Sequence, residues 1–455
     1  MDDTTPPDET PGWLHGSIYA IIGGLLGGAA GALFAAFVTD TIKGLLGRVS
    51  DLDNWLLVVA PLIGIGVAVA ILQSIGRGEA KQHIDDAPAA EHIRFRPWRS
   101  FPLDLVRADL TADVVASAGR EETFPWRLAP IRTFAILASV GMGAPLGTES
   151  PAAHLGVAAG AALGSRPWAR RIARSAGLGG GAAGVAALMG LPLVGLVFIL
   201  ELGRRRRVPI TLERVLGAGA GAAVGWFVNV TFELDFIRLA VPRMPPGSLS
   251  KVIVISMVVG VASGAVAAIT GTAIYAVRGW ESRPLVKAII GGAALAAIII
   301  SLLIVAAPSA AVGPGGGAVA WADASGARGW TLMIVAMLRA AATTAAVAAG
   351  GCGGVFVPFL AIGDLSGRAF APVVGASPDL AGAAGAAGGI AGGYRLPVTA
   401  IAMVIGVGGP YSATLTCLAT VATASAAGLG VAWGLEALTS RRSTGSRVTT
   451  QPALK

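Results

Sequence analysis

Gly147-Thr148-Glu149-Ser150-Pro151-Ala152-Ala153-His154-Leu155-Gly156-Val157-Ala158-Ala159-Gly160-Ala161-Ala162-Leu163-Gly164 is the stretch on which the fold turns. Beyond its opening it is apolar, yet at about fifteen residues it reaches only roughly 22 Å as a helix. A hydrocarbon core of about 30 Å calls for some 20 residues. The run begins at a Gly-Thr-Glu-Ser-Pro break and ends at the basic cluster Arg166, Arg170, Arg171 and Arg174. A second short apolar run, Phe356–Ile362, follows Gly350-Gly351-Cys352-Gly353-Gly354. Short, Gly/Pro-interrupted segments in both halves of a chain point to broken helices that meet inside a bilayer.

The surrounding sequence supplies that bilayer. Of 455 residues, 54% are hydrophobic and 65 are glycine, and charged residues are 13%, about half the ~25% usual for soluble chains. Stretches long enough to span run near Ser17–Thr39, Trp55–Ile75, Arg127–Leu146, Gly177–Leu202, Leu216–Phe232, Lys251–Val277, Val286–Val312, Trp330–Ala349 and Ser412–Leu435. They are long and non-alternating, which excludes a strand barrel. The chain therefore reads as an all-α, polytopic integral membrane protein, placed in the plasma (inner) membrane. The +8 net charge is too diffuse for a nucleic-acid footprint. Two cysteines, Cys352 and Cys417, make no disulfide framework. The acidic start lacks the basic region of a secretory leader, so no cleavage is expected.

An internal repeat emerges when Gly177–Gly203 is slid by 205 positions onto Gly382–Gly408. Gly177, Gly180, Ala182, Gly184, Ala186, Leu191, Pro192 and Gly203 then meet identical residues. The expected organisation is a polar N-terminal tail (1–15), a transmembrane domain (16–438) and a polar C-terminal tail (439–455). The domain divides into a first repeat at about 17–232 and a second at about 250–438. A charged insertion, 77–127, interrupts the first repeat, carries His83 and His92, and reads as a solvated connection of short surface helices in preference to a lid or vestibule. Arg166–Arg174 and Arg204–Arg207 lie in short loops after apolar segments, which predicts both on the cytoplasmic side.

The chemistry of the two breaks suits an anion. A helix N-terminus offers amide N–H groups and the positive dipole end. Gly147, Thr148 and Ser150 in the first break, with Gly354, Val355, Phe356 and Val357 in the second, are the candidate anion-binding positions. Glu149 is the candidate gate and proton carrier, because an intramembrane carboxylate is expensive and a functional hypothesis by default. It can occupy the anion's place when charged and leave it when protonated. His154, five residues on, falls off the same helical face and reads as a packed or solvated histidine. Asp364 and Arg368 have i,i+4 spacing suited to a pair. No metal-ligand cluster, cofactor motif or nucleophile–base pair stands out, so neither a metal, a cofactor nor an enzymatic activity is expected.

These residues resemble the CLC chloride channel and transporter family. Gly147-Thr148-Glu149-Ser150-Pro151 is similar to its Gly-x-Glu-Gly-Pro motif, with Ser for the second Gly. Gly353-Gly354-Val355-Phe356-Val357-Pro358 is similar to Gly-Gly-Ile-Phe-Ala-Pro, and Leu191–Glu201 to Ala-Pro-Leu-x-Gly-x-x-Phe-x-x-Glu. The resemblance implies two inverted-topology repeats of tilted and broken helices, and a homodimer with one pore per subunit. It also implies transport of chloride or another small anion, channel-like or coupled to protons, with Glu149 as gate. Departures accompany it. Gly76-Arg77-Gly78-Glu79-Ala80 stands where a Gly-Ser-Gly-Ile-Pro motif belongs. Leu202 replaces the exchangers' inner Glu, leaving Glu201 as the candidate inner proton acceptor. Trp433 is the nearest aromatic to the place of a C-terminal pore Tyr. A fluoride-selective transporter and a non-transporting membrane receptor or scaffold are the alternatives.

Overall fold

The computed structural model describes residues 12–73, 110–234, 248–280, 282–408 and 414–448. Gly76–Ala80, His83 and His92 lie outside them. Eight described helices are long and apolar enough to cross a membrane. Several of them expose large apolar side chains, among them Phe37, Trp55, Tyr275 and Ile304, as a bilayer-embedded surface does. Helices are the only regular elements among the described residues, apart from one isolated backbone bridge. The protein is an all-helical, multi-pass integral membrane protein.

Two compact units divide the chain. The first takes the described residues of Met1–Ile237 together with Ser282–Ile289 and Ala349–Gly354, and the second takes the remainder. In the first unit the helices are α1 (Gly12–Ser50), α2 (Asn54–Gln73), α3 (Leu110–Ser117), α4 (Ala129–Gly141), α5 (Glu149–Gly164), α6 (Ala173–Met189), α7 (Pro192–Arg204) and α8 (Leu212–Thr231). Helix α6 is the hub, packed by α1, α5, α7 and α8. Ala32 and Ala36 of α1 meet Ala183 and Ala187 of α6 and Val228 of α8 in one apolar cluster. With side chains this small, backbones approach closely, the usual packing device of membrane helices.

After α9 (Leu249–Gly279) come α10 (Pro284–Val305), α11 (Pro308–Ala311), α12 (Gly316–Ser325), α13 (Trp330–Ala348), α14 (Phe356–Val374), α15 (Pro378–Tyr394), α16 (Pro397–Val407) and α17 (Leu415–Val448). In the second unit the hub is α15, packed by α9, α14, α16 and α17. Each unit thus repeats one neighbour scheme. One contact shows the common cause. A Cβ on Gly156 of α5 would collide with the Gly180 carbonyl of α6, and one on Gly363 of α14 with the Gly385 carbonyl of α15.

The breaks fall where Gly and Pro place them. The expected span Gly177–Leu202 is two helices, because Gly190 adopts a left-handed φ of 69° and Pro192 starts α7. Left-handed backbone ends a helix, and Pro suits the first helical position. Val286–Val312 likewise divides into α10 and α11 at Pro308.

Four further expectations need correction. Helix α14 is not a seven-residue stub ending at Ile362. It runs 19 residues, because Asp364 and Arg368, both buried, pair with each other inside it (Nε to Oδ2, 2.8 Å). The part of the insertion that is described is not a solvated connection. Leu110, Val114 and Phe124 are buried, and Glu121 is buried against Arg214 at 2.7 Å. At the ends, α1 starts at Gly12 inside the expected tail, and α17 continues through Val448, so the first ten residues of the expected C-terminal tail are helical.

Candidate functional site

Three glycine positions prepare the start of α5. Gly141 closes α4, and Gly143 turns the chain with a left-handed φ of 89°. Gly147 then forms an antiparallel backbone bridge with Gly354, also of the first unit: each N–H donates to the other's carbonyl, at 2.6 and 2.7 Å. Cys352 N–H donates to Ser139 Oγ at 3.0 Å and holds the same strand of backbone against α4. Glycine is required at 353, where a Cβ would press on Leu146 at 2.7 Å.

Helix α5 begins immediately after this clasp. Its first residue is Glu149, whose side chain is completely buried and accepts a hydrogen bond from Thr148 Oγ1 at 3.2 Å. The first intrahelical bond runs from Ala152 N–H to the Thr148 carbonyl. Pro151 has no N–H, so the amides at the positive end of the helix are those of Glu149 and Ser150. The amides of Gly147 and Gly354, two of the expected anion-binding positions, are engaged with each other.

In the second unit α14 starts in the same way. Val355 takes φ −123° and ψ 5° where Thr148 takes −101° and −11°. The first intrahelical bond is Phe359 N–H to Val355 carbonyl, and Pro358 lacks an N–H, which leaves Phe356 and Val357 at the positive end. Phe356 is buried, and its ring meets that of Tyr394 edge-on, with centroids 5.5 Å apart. Tyr394 was not among the expected site residues, since the resemblance placed the pore aromatic near the C-terminus, closest to Trp433. The available signal was a lone Tyr at the Gly-Gly-Tyr-Arg-Leu-Pro break after α15.

Glu201 lies on α7, half-buried, beside a buried Leu202. His154 is wholly buried on α5 and belongs to a polar network with Arg132 and Asp113. It is packed, in keeping with one of the two readings above, but with polar partners. Among the described residues no group of His, Cys, Asp and Glu could hold a metal ion.

Comparison with known proteins covers most of this ground. Residues 108–429 match the family described as "Voltage gated chloride channel". An H(+)/Cl(-) exchange transporter ClcA of Yersinia pestis is 24% identical over 316 residues, 65% of this chain and 64% of that protein. The chain therefore spans about 64% of the length of the curated relatives it matches. Among solved structures, a CLC-type fluoride/proton antiporter aligns with TM-score 0.71 at 20% identity, over 93% of this chain and 97% of that one. A slow cyanobacterial Cl-/H+ antiporter aligns with TM-score 0.65 at 22% identity, over the same shares. A eukaryotic CLC transporter gives 0.59 at 15% identity, over 92% and 72%. With the family match spanning well over half the sequence, and the fold shared across nearly all of it, the chain belongs to the CLC family, the voltage-gated chloride channel family.

Proposed function

We propose that this protein carries a small anion, chloride by default, across its membrane, with Glu149 as the gate. The observation that carries the reading is a fully buried carboxylate at the first position of a membrane helix whose backbone is clasped from below by Gly354. A charged side chain at membrane depth costs about 2.5–3.5 kcal/mol or more. The positive end of α5 offsets part of that cost, and a hydrated anion entering the same place gains the same stabilisation. Anion and carboxylate therefore compete. Protonation of Glu149 removes its charge and frees the place.

The amides of Glu149 and Ser150 at the start of α5, and those of Phe356 and Val357 at the start of α14, are the proposed anion contacts. Thr148 steadies the gate through its hydroxyl, and Val355 sets the entry to α14. Homodimer formation, cytoplasmic placement of the two arginine-rich loops and residence in the plasma membrane belong to the same reading. Chloride is favoured over fluoride by the Val355-Phe356-Val357-Pro358 sequence and by the named activity of the ClcA relative. Proton coupling is favoured by the retained Glu149 and opposed by Leu202. Glu201, the nearest acid, is the candidate inner acceptor.

Flux from reconstituted vesicles tests all of this. Wild-type chloride flux should rise with acidification, and Glu149→Gln should flatten that pH response. An unchanged pH response in the variant would remove the gate, and no flux from the parent under any condition would favour a receptor or scaffold. Chloride uptake that drives protons against their gradient separates exchanger from channel. Competition between fluoride and chloride fixes the anion.

A further inference from the structure

We infer that Ser150 and His154 are positioning residues for Glu149, acting through a polar latch that ties α3 to the gating helix. The inference rests on the reading of Glu149 as a gate. Its starting point is two side chains of α5 that the proposed transport chemistry leaves unused. Ser150 and His154 are four residues apart, one turn, and so share a stripe. Both are buried, at 2% and 0% exposure. The stripe meets α3. Thr111 Oγ1 donates to Ser150 Oγ at 3.0 Å, and His154 Nδ1 lies 3.4 Å from the Leu110 carbonyl.

His154 has a second partner, and together the two fix its hydrogen. Arg132 Nη1, from α4, stands 3.3 Å from His154 Nε2. A guanidinium only donates, so Nε2 accepts and the ring hydrogen sits on Nδ1, where it donates to Leu110. Asp113 of α3 pairs with the same Arg132 and lies 3.9 Å from His154 Nδ1. The Phe124 ring closes the remaining side, edge-on at 4.9 Å between centroids. Three helices, α3, α4 and α5, are thus tied by a buried network whose members depend on one another.

The latch explains a departure in the sequence. Where the family motif has a second glycine this chain has Ser150, and its hydroxyl is what α3 holds. Ser150 also reaches the clasp, because a Cβ on Gly354 would stand 3.0 Å from Ser150 Oγ. Ser150 is the neighbour of Glu149 and sits between α3 on one side and Gly354 on the other. Any loosening of that contact is felt first by the backbone that carries the gate. The role is positional: neither Ser150 nor His154 gives up or takes a proton in it.

The test measures vesicle chloride flux against pH in the intact protein. Ser150→Ala and His154→Leu should each move the pH midpoint by about one unit, a tenfold change in the proton affinity of the gate. His154→Gln, whose amide can both donate and accept, should restore most of the wild-type midpoint. In a Glu149→Gln background His154→Leu should leave flux unchanged at every pH. Elution as a single symmetrical peak shows that a variant is folded, and Thr111→Val replaces His154→Leu if that protein aggregates. An unmoved midpoint in folded Ser150→Ala and His154→Leu (or Thr111→Val) overturns the inference. So does an equal flux change when Glu149 is absent. A pH response that survives in Glu149→Gln alone strikes instead at the gate itself, so the two failures are told apart.

Discussion

The starts of α5 and α14 share a backbone and differ in what they present. Gly143 and Gly350 both turn the chain with left-handed φ, 89° and 96°. Four residues later Gly147 and Gly354 pair with one another, and Pro151 and Pro358 close each first turn. At the first helical position, however, one start carries Glu149 and the other Phe356. A repeated backbone can thus be kept while side-chain chemistry diverges, one copy presenting a buried carboxyl group and the other a buried aromatic ring. Both starts gain from the same helix-end field.

Buried ion pairs are where that comparison should break most visibly. The first unit buries Arg132 with Asp113, and the second buries Arg368 with Asp364 while Asp323 and Asp379, each nearly half exposed, also reach Arg368 at 2.9 and 3.5 Å. Removing one member of a buried pair costs about 3–5 kcal/mol, because the other charge stays behind. Arg368→Met should therefore lose more thermal stability than Arg132→Met, since it strands three carboxylates instead of one. Adding Asp364→Asn should recover part of the loss. Equal melting temperatures for the two single variants would show that the exposed acids contribute nothing.

Helix packing should be alike in both units. Valine at Gly156 or at Gly363 drives a side chain into a facing carbonyl, and overpacking of this kind typically costs about 1–3 kcal/mol. Thermal unfolding in detergent should place the two variants within error of each other. A well-tolerated Gly363→Val beside an unfolded Gly156→Val would mean that the shared scheme is not shared in energy.

The smallest effect concerns the turns before α7 and α16. Gly190 and Arg395 occupy the same left-handed conformation, φ 69° and 58°. An L-residue pays roughly 1–2 kcal/mol there. Arg395 also keeps an exposed pair with Glu436 at 3.0 Å, worth at most ~1 kcal/mol. Arg395→Gly should leave stability unchanged or raise it by up to about 1 kcal/mol. Gly190→Ala should lower it, because the new Cβ also meets Asn229 Oδ1 at 2.7 Å. A melting-temperature drop for Arg395→Gly larger than that for Gly190→Ala would reverse the assignment.

What could be read from the chain beforehand follows a physical line. Gly and Pro act locally, so the break at Gly190-Leu191-Pro192 and the start of α5 at Glu149 were legible in the residues themselves. Charges neutralised by distant partners were not. Asp113 meets Arg132, and Glu121 meets Arg214, across long stretches of sequence. Composition alone therefore made the 77–127 insertion look solvated, whereas Asp364 and Arg368 made α14 look short although their i,i+4 pairing could be read locally. The amide bookkeeping at Gly147 and Gly354 was equally hidden, because it depends on a pairing that no local pattern announces.

That pairing has a consequence for biosynthesis. Gly354 leaves the ribosome about two hundred residues after Gly147, and contacts so far apart in the chain form late. Until then the peptide segment leading into α5 has no hydrogen-bonded mate. A nascent protein halted before Gly354 would hold all of α5, Glu149 included, and still lack the backbone partner of Gly147.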